Sequence, residues 1–172
     1  MNTPIRFALM SYGKVASLHA RALKATRGAE LVAVWGRDKA KREAFAAEFD
    51  IQPYNDVHRM VSESSVDVVI IASPHPLHRE HSLMALDAGA HVLVEKPMAL
   101  STSDCDAMIR AAKEAKKKLG VISQRRWYPS ARRIKEAIDA GKIGDPVLGQ
   151  IIMLGYGTKN ITRAIPGVAA GL

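Results

Sequence analysis

Short apolar runs alternate with helical patterns along most of the chain. Ile5–Met10 reads as a first strand, and Lys14 to about Arg27 then places Val15, Leu18, Ala22 and Leu23 at helical spacing. Glu30–Trp35 reads as a second strand. Asp38 is suited to cap the helix after it, whose apolar side is Ala40, Phe45, Ala46 and Phe49. A short segment at Ile51–Tyr54 precedes a helix beginning near Asn55 or Asp56. Val66–Ala72 is nearly continuous in β-branched residues, as expected of a parallel strand covered on both faces. A helix from about Leu77 to Ala88 should stop at Gly89, a natural residue for the left-handed turn after a helix. Strand His91–Val94, a helix from about Thr102 to Leu119 ended by Gly120, a short strand Gly120–Ser123 and a helix from Pro129 to Gly141 follow. This alternation predicts an α/β fold built on a doubly wound parallel sheet with right-handed crossovers.

Gly141-Lys142-Ile143-Gly144-Asp145-Pro146 breaks the rhythm, and Val147–Leu154 then looks like the opening strand of something different. The expected organisation is therefore one domain over residues 1–143 and the start of a second over 144–172. An isolated strand cannot stand as a domain, so it must pair with the first domain, with another copy, or fray. An apolar strand with a free edge invites self-association, which predicts a homo-oligomer.

Composition narrows the setting. At 172 residues the chain fits one ordinary domain with a piece of another. Aromatic residues are 5% against 48% hydrophobic, so the core must be aliphatic. The single cysteine, Cys105, excludes an internal disulfide and fits a reducing compartment. No apolar stretch approaches the ~20 residues that span a bilayer, and the N-terminus lacks the apolar region of a signal peptide. These features predict a soluble cytoplasmic protein with no membrane partner. The net charge of +8 raises the question of a polyanion. Lys113, Lys116, Lys117 and Lys118 sit at a helix end, where cations complement the macrodipole. Without a reader motif the charge reads as a solvated basic face, leaving a nucleic-acid-associated protein as the minor alternative.

The candidate chemistry lies at strand ends, where open α/β sheets bind ligands. Between the first strand and first helix stands Ser11-Tyr12-Gly13-Lys14-Val15-Ala16. The Rossmann dinucleotide fingerprint asks for a glycine, a second glycine and a small residue at the places held here by Ser11, Gly13 and Ala16. Two of the three fit, and a diphosphate would rest on amide groups at the helix N-terminus. NAD enzymes place an acid at the end of the second strand. Here the tip reads Trp35-Gly36-Arg37-Asp38, so Gly36 takes the acid's place. Arg37 is suited to pair with a 2′-phosphate or stack on adenine. Asp38 is the rival ribose ligand, though it is engaged as a helix cap. This pattern favours NADP, with NAD possible. Beyond His91–Val94 comes Glu95-Lys96-Pro97, a carboxylate, an ammonium and a rigid proline at a strand end. His75, His78 and His81 lie across a loop–helix junction without thiolate or carboxylate spacing, so no metal site is predicted.

The ordered set Ala8–His19, Ala72-Ser73-Pro74-His75-Pro76-Leu77-His78 and Glu95-Lys96-Pro97 resembles the glucose–fructose oxidoreductase/inositol dehydrogenase (Gfo/Idh/MocA) family. Gln124-Arg125-Arg126-Trp127 and Gly141-Lys142-Ile143-Gly144 extend the resemblance over roughly residues 5 to 155. It implies an N-terminal Rossmann domain, a C-terminal α/β domain with an open sheet, and hydride transfer between NAD(P) and a sugar, inositol or related polyol. It makes Lys96 the catalytic candidate near nicotinamide and substrate, and brings Glu95 to the nicotinamide ribose. It also implies a cis bond before Pro97. The implied cofactor-binding set is Ser11, Tyr12, Gly13, Lys14, Val15, Gly36, Arg37, Ser73, Pro74, His75, His78, Glu95, Lys96, Pro97, Gln124 and Arg125. His75 stands where the family has asparagine. The family's second domain supplies a glycine-rich segment, an aspartate and an acid/base histidine, and none of these follows Leu154. The expectation is a chain truncated, or read from a shifted frame, near its end. Two further readings remain: an NADP(H)-binding module without turnover, and the basic nucleic-acid-associated protein.

Overall fold

The computed structural model describes residues 3–150 and 152. The chain divides into two compact units, Met1–Arg126 and Trp127–Leu172. In the first, the order is β1 (Ile5–Met10), α1 (Lys14–Lys24), β2 (Ala29–Trp35), α2 (Lys39–Phe49), β3 (Gln52–Tyr54), α3 (Val57–Glu63) and β4 (Val68–Ile71). A 3-10 turn at His75–Leu77 leads into α4 (His78–Asp87), followed by β5 (His91–Glu95), α5 (Thr102–Glu114) and β6 (Leu119–Ile122). The strands form one six-stranded sheet in the order β3-β2-β1-β4-β5-β6, and each neighbouring pair is parallel. This is the doubly wound order, with the chain reversing direction across the sheet between β1 and β4.

Strand alternation sorts the core into two layers. Ala8, Met10, Val69, Ile71, Val92 and Val94 face Met60 and Val61 of α3, Ala85 and Leu86 of α4, and Met108 of α5. Leu9, Val34 and Ile70 face Ala16, Ala20 and Leu23 of α1 and Phe45 and Phe49 of α2. The two-sided burial expected for β4 holds: Val69, Ile70 and Ile71 are all buried. On β5 only Val92 and Val94 are buried, while Leu93 on the opposite face is half-exposed.

Local signals account for most element ends. Asp38 and Asp56 accept from the backbone N–H groups of Lys41 and Arg59 at 3.0 and 2.8 Å, capping α2 and α3 as polar N-caps do. Gly89 follows α4 at φ 89°. Two expectations need correction. The first helix ends at Lys24 instead of continuing to Arg27, because the chain turns through Gly28 at φ 83° to start β2. The helix expected to reach Leu119 ends at Glu114. Lys116 takes a left-handed φ of 53°, and Leu119 joins β6 opposite Val92.

The second unit contains α6 (Pro129–Asp139). Its proline at the first helical position needs no hydrogen bond there. The strand expected over Val147–Leu154 is not found at Val147–Gln150 or Ile152, and its remaining positions lie outside the described residues. Among the described residues no helix is long and apolar enough to cross a membrane.

Candidate functional site

The carboxyl ends of β1, β4 and β5 lie side by side, so the three turns singled out by their sequence meet at one edge of the sheet. After β1, Ser11 adopts φ 147°, a conformation natural to glycine and costly for a residue with a side chain. The turn thus keeps the shape of the fingerprint's first glycine without its residue. The Gly13 N–H donates to Ser11 Oγ at 3.2 Å. Gly13 then opens α1 with extended backbone angles and no side-chain cap. The first-turn amides of an uncapped helix want an acceptor, and an anion is the natural one. Ala16 is fully buried against the sheet, as the small third position requires.

At the end of β2 a Cβ added to Gly36 would stand 2.0 Å from Tyr12 Cε1, so only glycine fits beneath this ring. Tyr12 Oη accepts from the Asp38 N–H at 3.2 Å. Buried Arg42 donates from Nη1 to the Gly36 carbonyl at 2.6 Å. The strand tip is therefore braced from both sides, and Arg37 projects from it. Its guanidinium pairs with Glu80 of α4 at 2.9 Å, with both side chains largely exposed.

Beyond β4 and β5, His78 joins the two turns. Its ring is fully buried, with Nε2 2.9 Å from the Ser73 carbonyl and Nδ1 2.7 Å from the Pro97 carbonyl. His78 backs the site from within, and the exposed His75 meets its ring edge-on at 5.4 Å. Loss of solvent, then His78 and Lys96, hold His75 below the ordinary imidazole pKa; Glu95 acts in the opposite sense. The Lys96–Pro97 bond is cis, as expected.

A cleft of about 400 Å³ lies over these turns, lined by Val15, Leu18 and His19 of α1 and by Ser73, His75, Glu95, Lys96, Ile122 and Gln124. Glu95 Oε1 receives His19 Nε2 at 2.9 Å and Oε2 accepts from the Lys96 N–H at 3.1 Å. Lys96 is exposed, and among the described residues its ammonium forms no ion pair. Pro74 and Arg125 are exposed, and Lys14 begins α1 directly after Gly13. Two residues escaped the sequence reading. His19, at the end of the Ala8–His19 run, lies within the stripe Val15, Leu18, Ala22 that faces the cleft, a signal available at helical spacing. Glu80 carried no signal, because its meeting with Arg37 depends on tertiary placement. Among the described residues no group of His, Cys, Asp and Glu is arranged to hold a metal ion.

A family model described as oxidoreductase family, NAD-binding Rossmann fold (Gfo/Idh/MocA) matches residues 5–123. The inositol 2-dehydrogenase of Salmonella typhimurium is 33% identical over 150 residues, which cover 84% of this chain and 44% of that protein. The 1,5-anhydro-D-fructose reductase of Ensifer adhaerens is 35% identical over 136 residues, 78% of this chain and 40% of that protein. The crystal structure of the WlbA dehydrogenase of Chromobacterium violaceum, in complex with NADH and UDP-GlcNAcA, superposes with a TM-score of 0.78 at 34% identity. That match covers 84% of this chain and 42% of the other. The chain spans less than half the length of the curated relatives it matches.

Proposed function

Since the chain belongs to the Gfo/Idh/MocA oxidoreductase family, whose matched region is an NAD-binding Rossmann fold, we propose that it forms the coenzyme-holding part of a nicotinamide-dependent oxidoreductase. Its substrate class is a sugar, an inositol or a related polyol, the chemistry named in its relatives. One observation carries this reading: the uncapped N-terminus of α1 and the Glu95–Lys96 pair open onto the same strand-end edge of the sheet. Phosphate binding at one end and an unpaired ammonium at the other suit a dinucleotide laid across the switch point.

The residues present fit such a coenzyme. Amides beside Gly13 would take the diphosphate, with Tyr12, Lys14 and Val15 around them. Gly36 and Arg37 would flank the adenosine ribose. Ser73, Pro74, His75, Gln124 and Arg125 would border the nicotinamide end, with His78 holding the two turns in register. A bound nicotinamide supplies a hydride acceptor or donor. Lys96 donates a hydrogen bond to the substrate oxygen and holds a proton at Nζ where charge develops on that oxygen. Glu95 receives ribose hydroxyls.

The coenzyme is read as NADP in preference to NAD, because Gly36 takes the acid's place at the end of β2, Asp38 is engaged as the cap of α2, and Arg37 stands at the strand tip. A second domain opening at 144–172, a cytoplasmic setting and self-association belong to the same proposal. The extreme exposure of Val147 and Leu148 favours the last of these.

Titration of the pure chain with NADPH and NADH, read by nicotinamide fluorescence and followed by assay on a panel of polyols, tests the proposal. Binding of either coenzyme is expected. Binding without turnover selects a coenzyme-binding module, the second reading. No binding of either coenzyme refutes both.

A further inference from the structure

The contact between His19 and Glu95 joins positions 76 residues apart in sequence. It ties α1, whose first turn offers the phosphate site, to the end of β5, which carries Lys96. Both partners are mostly shielded, with side chains 20% and 14% exposed. They line the cleft and lie outside the core. The helix docks on the sheet through other residues, Ala16, Ala20 and Leu23, so the imidazole is not what anchors it.

The lone pairs of Glu95 can be accounted for individually. A carboxylate offers about four acceptor positions, two on each oxygen. His19 takes one on Oε1 and the Lys96 N–H takes one on Oε2. One remains on each oxygen, and both belong to a carboxylate whose plane is held at two points. That arrangement suits a vicinal diol, whose two hydroxyls donate side by side. Among the described residues lining the cleft Glu95 is the one acid, facing Lys96 and His75.

We propose that His19 is a positioning residue: acting through Glu95, it presents a fixed carboxylate edge to the vicinal diol of the ribose next to the nicotinamide. This rests on the coenzyme reading above and adds to it a residue and the group it serves. Without His19 the carboxylate keeps only the Lys96 N–H and is free to turn. The diol then loses an oriented pair of acceptors, while the phosphate turn is untouched.

The test compares ADP, which lacks the second ribose, with ADP-ribose, which carries it, each as a competitor of coenzyme fluorescence on the full chain. If the 2′-phosphorylated coenzyme binds better, the 2′-phosphorylated forms of both are used. In His19→Ala, binding of ADP-ribose and of coenzyme should weaken roughly tenfold, the scale of one hydrogen bond to a charged group, while ADP binding stays within about twofold. His19→Gln, which returns an N–H donor near the Nε2 position, should recover most of the loss. Equal loss of ADP and ADP-ribose, or no loss of ADP-ribose, overturns the assignment; so does an equal loss in His19→Gln. Wild-type chain that binds no coenzyme sinks the underlying reading. Wild-type chain that binds it, with no selective loss in His19→Ala, sinks this inference alone.

Discussion

Arg37 is where the coenzyme reading makes its most exposed commitment. Its guanidinium stands at the tip of β2, 2.9 Å from Glu80, with side chains 64% and 52% exposed. An ion pair that open contributes about 0–1 kcal/mol, and a 2′-phosphate must displace or share it. A hydrogen bond to a charged group is worth roughly 1.5–3 kcal/mol. The net advantage for the phosphorylated coenzyme is therefore about 1–2 kcal/mol, or roughly five- to thirtyfold in Kd. Arg37→Ala should weaken NADPH by that factor and leave NADH within about threefold. Glu80→Gln removes the competitor and should tighten NADPH up to roughly fivefold, with the larger effect at low salt, because exposed charges are screened over about 8 Å at physiological ionic strength. Fluorescence titration at two salt concentrations measures all of this. Equal losses of NADPH and NADH in Arg37→Ala would show that the guanidinium stacks on adenine, which both coenzymes share, and would refute the 2′-phosphate assignment.

Three further outcomes follow from the same geometry. Gly36→Ala forces a methyl to within 2.0 Å of Tyr12 Cε1, and the displaced ring loses its hold on the Asp38 N–H. Denaturant unfolding should show a loss of about 1–3 kcal/mol, the usual cost of overpacking, largely recovered when Tyr12→Ala is added; strictly additive losses would contradict the contact. Ser11→Gly relieves a φ of 147°, worth roughly 1–3 kcal/mol against about 0.5–1 kcal/mol of added chain entropy, so thermal unfolding should shift upward, and a lower Tm would argue against strain at this turn. Burial lowers the pKa of His81 to about 4 from 6.5. Between those values the unfolded chain holds a proton that the folded chain refuses, so stability is full above pH 6.5 and falls by up to about 3 kcal/mol toward pH 4. Among the described residues neither ring nitrogen has a hydrogen-bond partner, so His81→Leu should flatten that part of the pH–stability curve; parallel curves for variant and wild type would remove the assignment.

Much of the sheet was legible because each strand carries its own signal. The β-branched run at Val66–Ala72 announced a strand with two covered faces, and β4 is buried on both. Asp38, Asp56 and Gly89 announced helix ends through chemistry confined to a few residues. The end of α5 was misread for a physical reason. Lys113 to Lys118 is compatible with a continuing helix, and Gly120 offered an obvious stop. The chain instead turns at Lys116, a residue with no intrinsic taste for φ 53°. Pairing Leu119 with Val92 overrides that preference, and a strand partner cannot be read from local propensity.

The site divides along the same line. The placement of Ser11, Gly13, Gly36, Glu95 and Lys96 at strand ends was legible because the apolar run before each is a strong strand signal. His19 and Glu80 were not, because each acquires a role from a partner that the topology supplies. The sheet order sets β4 next to β1 and β5 next to β4, and α1, crossing from β1 to β2, lines the same cleft as Glu95. A helix stripe that looked like ordinary packing, Val15, Leu18 and Ala22, thereby becomes a wall of the cleft with one imidazole in it. The fingerprint turn makes the complementary point. Ser11 departs from the expected glycine in identity but keeps its backbone angle, and its hydroxyl accepts from the Gly13 N–H. A serine held at a glycine's backbone angle shows that the strand and helix on either side of this turn set its shape more strongly than the side chain's own preference does.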